Sequence, residues 1–491
     1  MKRFLLSLAI LATTFHGKAQ QKKDNPPFER PKLVVGIVVD QMRYDYLTKF
    51  WHRYGEGGFK RMVNQGFTAK NHHFNYVPTS TGPGHASVYT GTTPSVHGII
   101  GNDWFDKNLG TTVYCASDDS VSPVGTNDAA GKMSPHRMIT STVTDELRLA
   151  TQLRGKVIGI SLKDRGSILP IGHAANAAYW FHGKSEGAWI TSSYYMEELP
   201  KWVQDFNASD AAEKYKTVWN TLYDINTYTE SGSDINDFEG KFTGEATASF
   251  PHDIPKLWDA NGGFDIVRIT PFGNSLTTDF DLAALEGEAL GIDADTDFLA
   301  ISYSSPDYIG HKFGVNSKEV QDNYLRLDKD LERLFNALDQ KVGKGEYTVF
   351  LTADHGAIHV PAYLQSVKIP AGYFDVSAYK EKLNKFLLKE FETDKLVRYM
   401  SDDDIFLNHE VLAEIDEDLD DVLETIANEI ITYEGIFQVY TSEQLKTQNY
   451  TRGLPYLLQN GFNHKRSGDL LVVLTAPPPV LPVRLARCCR S

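Results

Sequence analysis

Five short segments of this chain are almost wholly apolar, and this feature limits the folds open to the chain more than any other. Near-continuous apolar runs of strand length predict β-strands covered on both faces, as in a mainly parallel sheet between layers of helices. The five runs are Lys32–Val39, Lys156–Leu162, Phe298–Tyr303, Tyr347–Thr352 and Asp469–Leu474.

Amphipathic segments separate these runs. The clearest, residues 320–338, places its leucines and aromatic residues at helical spacing. Strands that alternate with helices predict a doubly wound α/β fold, in which ligands bind beyond the carboxyl ends of the strands. Polar residues stand at or beyond the carboxyl ends of four of the runs: Asp40, Lys163, Asp307, Asp354 and His355.

Two segments interrupt the alternation of strands and helices. Residues 175–264 are rich in tryptophan and tyrosine, and residues 361–439 are charged and mainly helical in pattern. We predict a single catalytic domain over residues 30–475, with both segments as insertions that form a cap or lid over the site. For the second segment, simple surface decoration is an equally good interpretation.

The chain is acidic, and this excludes one class of partner. Its 491 residues carry a formal net charge of −15 and contain no run of lysine and arginine. Nucleic-acid binders normally show a basic stripe, so we expect no nucleic-acid partner. An acidic surface also repels anions at long range, so a site for a phosphate must carry its own local positive charge.

The first residues are typical of a secretory signal peptide. Lys2 and Arg3 precede the apolar stretch 4–15, and a small-x-small motif ends at Ala19. We therefore predict a signal peptide over residues 1–19 and a periplasmic or secreted protein; an ordinary N-terminal helix is the alternative. No later segment is apolar enough to span a membrane, and we expect a monomer.

The segment Pro78–His85 predicts the start of a helix. Thr81 is placed to act as the N-cap, with Pro83 in the first turn. Backbone N–H groups and the helix dipole would then face the Thr81 hydroxyl, an environment that suits a phosphate. By itself, however, the pattern predicts no more than a capped helix.

Carboxylate and imidazole side chains recur at the predicted strand ends, as Asp40, as Asp307-x-x-x-His311 and as Asp354-His355. This combination of donors suits Zn²⁺ better than Mg²⁺ or Ca²⁺. Each motif alone is weak, because a lone buried Asp or His is usually a satisfied structural group. Their coincidence at one edge of one sheet predicts a metal site.

Two cations follow the second apolar run. Lys163 and Arg165 are separated by one residue, so they share a face if the segment is extended. From the end of a core strand both can reach a phosphate oxygen. A solvated charge cluster is the alternative interpretation.

Together these motifs resemble the alkaline phosphatase superfamily. Thr81-x-Pro-x-His85 and the run 89–102, which ends at Asn102, are similar to the phosphodiesterase/nucleotide pyrophosphatase branch with its threonine nucleophile. The stretch 161–166 differs from that branch and resembles the PafA-type group of periplasmic phosphomonoesterases, in which a lysine and an arginine bind the phosphate.

This resemblance implies a hydrolase of small-molecule phosphate monoesters that uses two Zn²⁺ ions and a phosphothreonine intermediate. By the same resemblance Thr81 is the nucleophile, and the non-bridging phosphoryl oxygens contact Asn102, Lys163 and Arg165. The implied metal ligands are Asp40, Thr81, Asp354 and His355 for one zinc, and Asp307 and His311 for the other.

The chain departs from the family near its C-terminus. The resemblance implies a further zinc ligand, a His in a His-Gly segment there, but no histidine follows His464. Residues 476–491 contain a triproline, three arginines and two adjacent cysteines, and we interpret this tail as the product of a shifted reading frame, with a divergent terminus as the alternative. Two other functions stay open: a phosphodiesterase or nucleotide pyrophosphatase, and an exported metal-binding protein without turnover.

Overall fold

The structure is a computed structural model that describes residues 30–401, 403–415 and 417–475, so the predicted signal peptide and the tail 476–491 lie outside the described residues. The thirteen strands of the described part are β1 Leu33–Val39, β2 Asp103–Asp106, β3 Thr111–Tyr114, β4 Pro123–Val124, β5 Val157–Ser161, β6 Ala177–His182, β7 Ala188–Ser192, β8 Asp297–Tyr303, β9 Tyr347–Thr352, β10 Val397–Met400, β11 Asp404–Leu407, β12 Ile436–Thr441 and β13 Leu470–Leu474.

Eighteen α-helices lie among these strands in the same described part. They are α1 Asp45–Lys49, α2 Phe59–Gln65, α3 Thr81–Thr90, α4 Pro94–His97, α5 Val143–Ala150, α6 Asp164–Ile171, α7 Lys201–Ala208, α8 Ile254–Leu257, α9 Asp265–Arg268, α10 Phe272–Gly287, α11 Ser305–Phe313, α12 Lys318–Leu338, α13 Pro361–Ser366, α14 Val376–Glu390, α15 His409–Leu412, α16 Leu419–Ile430, α17 Ser442–Thr447 and α18 Gly453–Gly461. The long helix predicted over residues 320–338 is confirmed as α12, and Ser317 caps it by accepting a hydrogen bond from the Val320 backbone N–H.

A seven-stranded sheet forms the centre of the molecule, with the order β4-β7-β6-β5-β8-β1-β9. The five strands from β6 to β9 in this order are parallel, and β7 and β4 add an antiparallel edge. The predicted doubly wound, mainly parallel α/β sheet is therefore confirmed. Register pairs Val39 with Tyr303 and Ser161 with Ser302, so the carboxyl ends of β1, β5 and β8 meet at one edge.

Helices cover both faces of this sheet, because alternate strand residues enter two different cores. Ile37 and Ile301 belong to a core shared with α10 and α12. Val38 and Ala300 belong to a second core shared with α3 and α6. Burial on both faces explains why β1, β5 and β8 appear in the sequence as continuous apolar runs. The run that forms β9 was predicted to be covered in the same way, but β9 is the edge strand of the sheet and is only half-buried.

The fifth apolar run lies in a different sheet, which corrects the prediction that it belongs with the other four. β13 pairs antiparallel with β11 and β12 in a four-stranded sheet of order β10-β11-β13-β12. Helices α14 and α16 pack on this sheet in a core of their own. A strand buried on both faces is equally apolar in either sheet, so composition could not distinguish them.

The two segments predicted as insertions differ in how they join the fold. Residues 175–264 supply β6 and β7 to the main sheet and then continue through α7 and α8 without further strands. Residues 361–439 supply α13 to α16 and most of the second sheet. Among the described helices, none combines the length and apolar character that crossing a membrane requires.

Candidate active site

Chemically active side chains gather where four neighbouring strands of the main sheet end. Asp40 follows β1, Lys163 lies just beyond β5, and Asp307 lies in the first turn of α11, directly after β8. Asp354 and His355 follow β9. In the sheet these strands are adjacent, in the order β5-β8-β1-β9, so residues far apart in the chain meet at one buried edge.

The ring of His355 lies among three carboxylates. Its Nε2 is 3.3 Å from Asp40 Oδ1, 3.8 Å from Asp354 Oδ2 and 3.9 Å from Asp307 Oδ1. Its Nδ1 is 2.8 Å from the carbonyl oxygen of Gly356. A carbonyl only accepts hydrogen bonds, so Nδ1 carries a proton and Nε2 is the nitrogen directed at the carboxylates.

These residues fit a metal ion. The buried oxygens Asp40 Oδ1 and Asp354 Oδ2 have no hydrogen-bond partner, which is costly for a carboxylate unless a cation satisfies it. Within the described part of the chain, Asp40, Asp307 and His355 form the group whose donor atoms all lie within 4.8 Å of one another. Carboxylate and imidazole donors together match the preferences of Zn²⁺, and the Gly356 contact orients the ring as an outer-shell partner does.

The electrostatics of the cluster favour its charged forms. Burial alone would favour a neutral His355 ring, but the surrounding carboxylates, Asp354 first, raise the pKa of His355 to about 10. Burial and the Asp40 charge oppose ionisation of Asp307, but Lys163 and His311 lower its pKa to about 2. The pKa of Asp354 is likewise held well below its usual range, against burial, by His355 and His85.

Lys163 donates two short hydrogen bonds within the cluster. Its Nζ donates to Asp40 Oδ2 at 2.6 Å and to Asp307 Oδ2 at 2.5 Å. The ring of Tyr308 lies 4.9 Å from the same ammonium. His311 stands one helical turn beyond Asp307, with Nε2 2.9 Å from Asp307 Oδ1, so the predicted pairing on one helix face is present.

The helix that carries Thr81 begins one residue earlier than predicted. Ser80 is the N-cap, in an extended conformation and without a side-chain capping bond, and Thr81 is the first residue of α3. Thr81 is therefore not the cap, which leaves its hydroxyl without that structural task. Thr81 is almost fully buried, and Gly84 lets the helix approach closely, since a Cβ there would lie 2.3 Å from the Asp354 carbonyl oxygen.

Asn102 and Arg165 border the start of α3. Asn102 Oδ1 accepts a hydrogen bond from the Gly82 backbone N–H at 2.7 Å, so its amide N–H₂ is the group left to donate elsewhere. Arg165 Nη1 donates to the Tyr114 hydroxyl at 3.0 Å, and that hydroxyl in turn contacts Asp164. Arg165 Nε is buried without a hydrogen-bond partner.

Two residues of the cluster were not assigned a role from sequence. Gln41 donates from Nε2 to Asp307 Oδ1 at 2.6 Å and from its backbone N–H to Asp354 Oδ1 at 3.1 Å. Its φ of 63° lies in the left-handed region, which turns the chain sharply after Asp40. Gly310 leaves room for its side chain, because a Cβ there would lie 2.0 Å from Gln41 Oε1. No sequence pattern marks this glutamine.

His85 is the other. Its Nδ1 lies 2.9 Å from the Thr81 carbonyl oxygen and its Nε2 lies 2.8 Å from Ser302 Oγ. The spacing of His85 one helical turn after Thr81 was the available signal. His464, by contrast, lies in an exposed position after α18.

Comparison with known proteins identifies the family. Residues 34–477 match the type I phosphodiesterase / nucleotide pyrophosphatase family. The match covers most of the chain, which therefore belongs to this family.

Curated relatives match along almost the whole chain. The chain is 45% identical to alkaline phosphatase PafA of Elizabethkingia meningoseptica, over 96% of this chain and 85% of the relative. It is 44% identical to alkaline phosphatase PhoV of Synechococcus elongatus, over 97% of this chain and 87% of the relative. A protein of Myroides odoratus named calcium-transporting ATPase is 46% identical over 91% of this chain and 82% of its own length.

The fold matches a solved structure. The crystal structure of wild-type alkaline phosphatase PafA superposes with a TM-score of 0.87 at 46% identity, covering 91% of this chain and 85% of the other. A variant of PafA that carries substitutions at one threonine, one asparagine, one lysine and one arginine superposes with a TM-score of 0.86. The resemblance drawn from the sequence motifs is thereby confirmed.

Proposed function

We propose that this chain is an alkaline phosphatase, a hydrolase of phosphate monoesters that works through a phosphothreonine at Thr81 with the help of two zinc ions. The observation that carries the proposal is the convergence of Asp40, Asp307, Asp354 and His355 at adjacent strand ends, with two buried carboxylate oxygens that lack a partner. The relatives named alkaline phosphatase support the activity.

The metal ligands in this proposal are Asp40, Thr81, Asp354 and His355 for one ion, and Asp307 and His311 for the other. Zinc held there would supply electrophilic activation of the threonine oxygen and of the departing alcohol oxygen. His355 offers Nε2 because Gly356 holds its Nδ1 proton. Gln41 orients Asp307 and Asp354 by donating to each.

The reaction of the chain's own residues is a two-step transfer. Thr81 Oγ forms a bond to phosphorus as the bond from phosphorus to the alcohol oxygen breaks, and water then hydrolyses the phosphothreonine. The buried start of α3 holds this hydroxyl, and the contact of His85 with the Thr81 carbonyl oxygen keeps it in register with Asp354. Such positioning supplies a large part of the rate in phosphoryl transfer.

Asn102, Lys163 and Arg165 contact the non-bridging phosphoryl oxygens, and the two cations neutralise their charge. The amide N–H₂ of Asn102 is free to donate, since its Oδ1 is taken by Gly82. A monoester dianion carries more charge than a diester, so two cations favour monoester substrates. The substituted threonine, asparagine, lysine and arginine of the solved PafA variant support these assignments: their spacing from Thr to Asn and from Lys to Arg equals that of Thr81, Asn102, Lys163 and Arg165 here.

The nucleophile is tested by replacing Thr81. Thr81→Ala should abolish hydrolysis of p-nitrophenyl phosphate, whereas Thr81→Ser, which keeps a hydroxyl, should retain measurable turnover. Incubation of the Ser and wild-type proteins with substrate and acid quenching should trap a covalent phosphate that the Ala variant lacks. Full hydrolysis by Thr81→Ala would remove the nucleophile from the proposal.

The two alternatives are separated by substrate and by metal content. A phosphodiesterase, which the family description includes, would prefer bis-p-nitrophenyl phosphate. We expect the monoester to be preferred, and the preference to fall by about a hundredfold when Lys163 and Arg165 are both replaced by Ala. An unchanged ratio would contradict their role. A metal-binding protein without turnover would contain zinc but hydrolyse neither ester.

The remaining zinc ligand, the location and the oligomeric state rest on the sequence. The histidine that the family resemblance implies near the C-terminus has no counterpart after His464, so zinc content per chain is the direct measurement of how well the second ion is held. Export to the periplasm or the exterior follows from the predicted signal peptide over residues 1–19, and the monomeric state stays a prediction.

A further inference from the structure

Lys163 occupies a more central position than a phosphate-binding side chain requires. Its ammonium lies between Asp40 and Asp307, at 2.6 and 2.5 Å from their outer oxygens, and the three side chains are 3%, 0% and 6% exposed. In the proposed function these two carboxylates serve different zinc ions. The same buried ammonium group therefore donates hydrogen bonds to both halves of the centre.

The number of donors on an ammonium group allows this position and substrate contact together. A lysine ammonium has three N–H groups. Two of them point at Asp40 and Asp307, and one remains for a phosphoryl oxygen. The other oxygen of each carboxylate faces the imidazoles, since Asp40 Oδ1 lies 3.3 Å from His355 and Asp307 Oδ1 lies 2.9 Å from His311.

The effect of Lys163 follows from the charges of the carboxylates around it. Asp40, Asp307 and Asp354 are all buried, and buried carboxylates without counter-charges are strongly destabilising. In the protein without metal, the Lys163 ammonium donates hydrogen bonds to two of them. When zinc binds, the same ammonium stands beside added positive charge, which opposes binding.

We propose that Lys163 is a built-in counter-cation for the metal centre, which stabilises the fold before metal arrives and lowers the affinity for zinc by competing for Asp40 and Asp307. This inference rests on the proposed function only for the identity of the ion. It assigns Lys163 a positioning role toward the ligands in addition to its contact with substrate.

The test compares three variants. Lys163→Met removes the charge with little change in length, Lys163→Arg keeps the charge, and Arg165→Met removes the other cation of the phosphate site, which contacts Tyr114 rather than the carboxylates. Zinc affinity is measured by competition with a chromophoric chelator, and thermal unfolding is followed in excess EDTA and in excess zinc.

We expect Lys163→Met to bind zinc at least about tenfold more tightly than the wild type. A tenfold change in affinity corresponds to about 1.4 kcal/mol, and the unscreened repulsion between a unit charge and a nearby ion is several times larger than that energy. Its melting temperature in EDTA should fall by several degrees, and zinc should restore it. Lys163→Arg should stay near the wild-type affinity, and Arg165→Met should change it by no more than about threefold.

Unchanged or weaker zinc binding by Lys163→Met, with the wild type binding zinc normally, would overturn the inference and leave the proposed function intact. Failure of the wild type to bind zinc at all would instead overturn the proposed function. In that case the inference is tested only by the melting temperatures in excess EDTA. Equal melting temperatures of wild type and Lys163→Met would reject Lys163 as the counter-cation. Lys163→Met could be insoluble without metal. In that case, soluble protein after refolding in the presence of zinc supports the inference, and insoluble protein both with and without zinc contradicts it.

Discussion

His85 Nδ1 lies 3.2 Å from Asp354 Oδ2, and this contact ties the helix that begins at Thr81 to the carboxylate at the end of β9. The same nitrogen lies 2.9 Å from the Thr81 carbonyl oxygen, which only accepts, so Nδ1 carries a proton and donates it to that oxygen, with the Asp354 carboxylate close beside it. The proposed nucleophile and a proposed metal ligand are thus held by one buried ring.

Replacing His85 should therefore disturb the positions of both Thr81 and Asp354. We expect His85→Gln to lower kcat for p-nitrophenyl phosphate by about 10- to 100-fold, the usual cost of losing an outer-shell partner, with a small change in KM. His97→Gln is the matched control, because His97 is equally buried but bonds Ser87 Oγ. It should reduce the melting temperature without this fall in kcat. Equal effects of both variants on kcat would contradict the assignment.

Two substitutions of Asn102 should distinguish its hydrogen bond to Gly82 from its contact with the phosphoryl group. Asn102→Asp keeps an oxygen for the Gly82 N–H but replaces the amide donor with a negative charge, so kcat/KM should fall at least about a hundredfold while the melting temperature changes little. Asn102→Ala loses both groups, so it should also lower the free energy of unfolding by the cost of one unsatisfied backbone donor, about 1–3 kcal/mol, and the melting temperature with it. Wild-type kcat/KM in Asn102→Asp would exclude contact with the phosphoryl group.

The Tyr114 hydroxyl should position Arg165. Tyr114→Phe removes the acceptor of the hydrogen bond from Arg165 Nη1, and we expect monoester kcat/KM to fall about tenfold, with a smaller fall for the diester. Tyr89→Phe is the control, since Tyr89 is also buried but its hydroxyl has no hydrogen-bond partner. That variant should keep both rates. A parallel loss on monoester and diester in Tyr114→Phe would mean that Tyr114 acts on the fold rather than on Arg165.

Stability should fall as the solution becomes alkaline, because of a cluster outside the active site. His252 is fully buried between Glu245 and Glu319, at 2.7 and 3.2 Å. Burial opposes its charge, but the two carboxylates raise the pKa of His252 to about 9. Burial, then the Glu319 charge, raises the pKa of Glu239 to about 8.

Both shifts act in the same direction. A folded pKa above the unfolded value means that the stabilising proton is fully bound at low pH and is lost as pH rises through the folded pKa. For His252 the contribution is complete below about pH 6.5, and up to about 3 kcal/mol is lost by pH 9 to 10. Thermal unfolding of wild type, His252→Gln and the exposed control His72→Gln at pH 6.5 and 9.5 should show a weaker pH dependence in His252→Gln alone. An equal change in melting temperature between the two pH values in all three proteins would contradict the role of His252.

Much of the site was predictable because its signals are local. The carboxyl end of an apolar strand followed by Asp40, or by Asp354-His355, can be seen within one short window of sequence. Helical spacing placed His311 one turn after Asp307, and the structure keeps that pairing. The N-cap was misplaced by one residue, because Ser80 and Thr81 are both good cap residues and local pattern does not choose between them.

The sequence by itself determined the five apolar strands, the long helix α12 and the kinds of side chain at the strand ends, because a strand packed inside the protein leaves an apolar run whatever it pairs with. Only the tertiary structure decided which strands are neighbours: it set β1 between β8 and β9 and moved β13 to a separate sheet. It also brought Lys163 between Asp40 and Asp307, and Gln41 onto Asp307 and Asp354. Strand pairing joins segments hundreds of residues apart, and no local propensity encodes the order in which they meet.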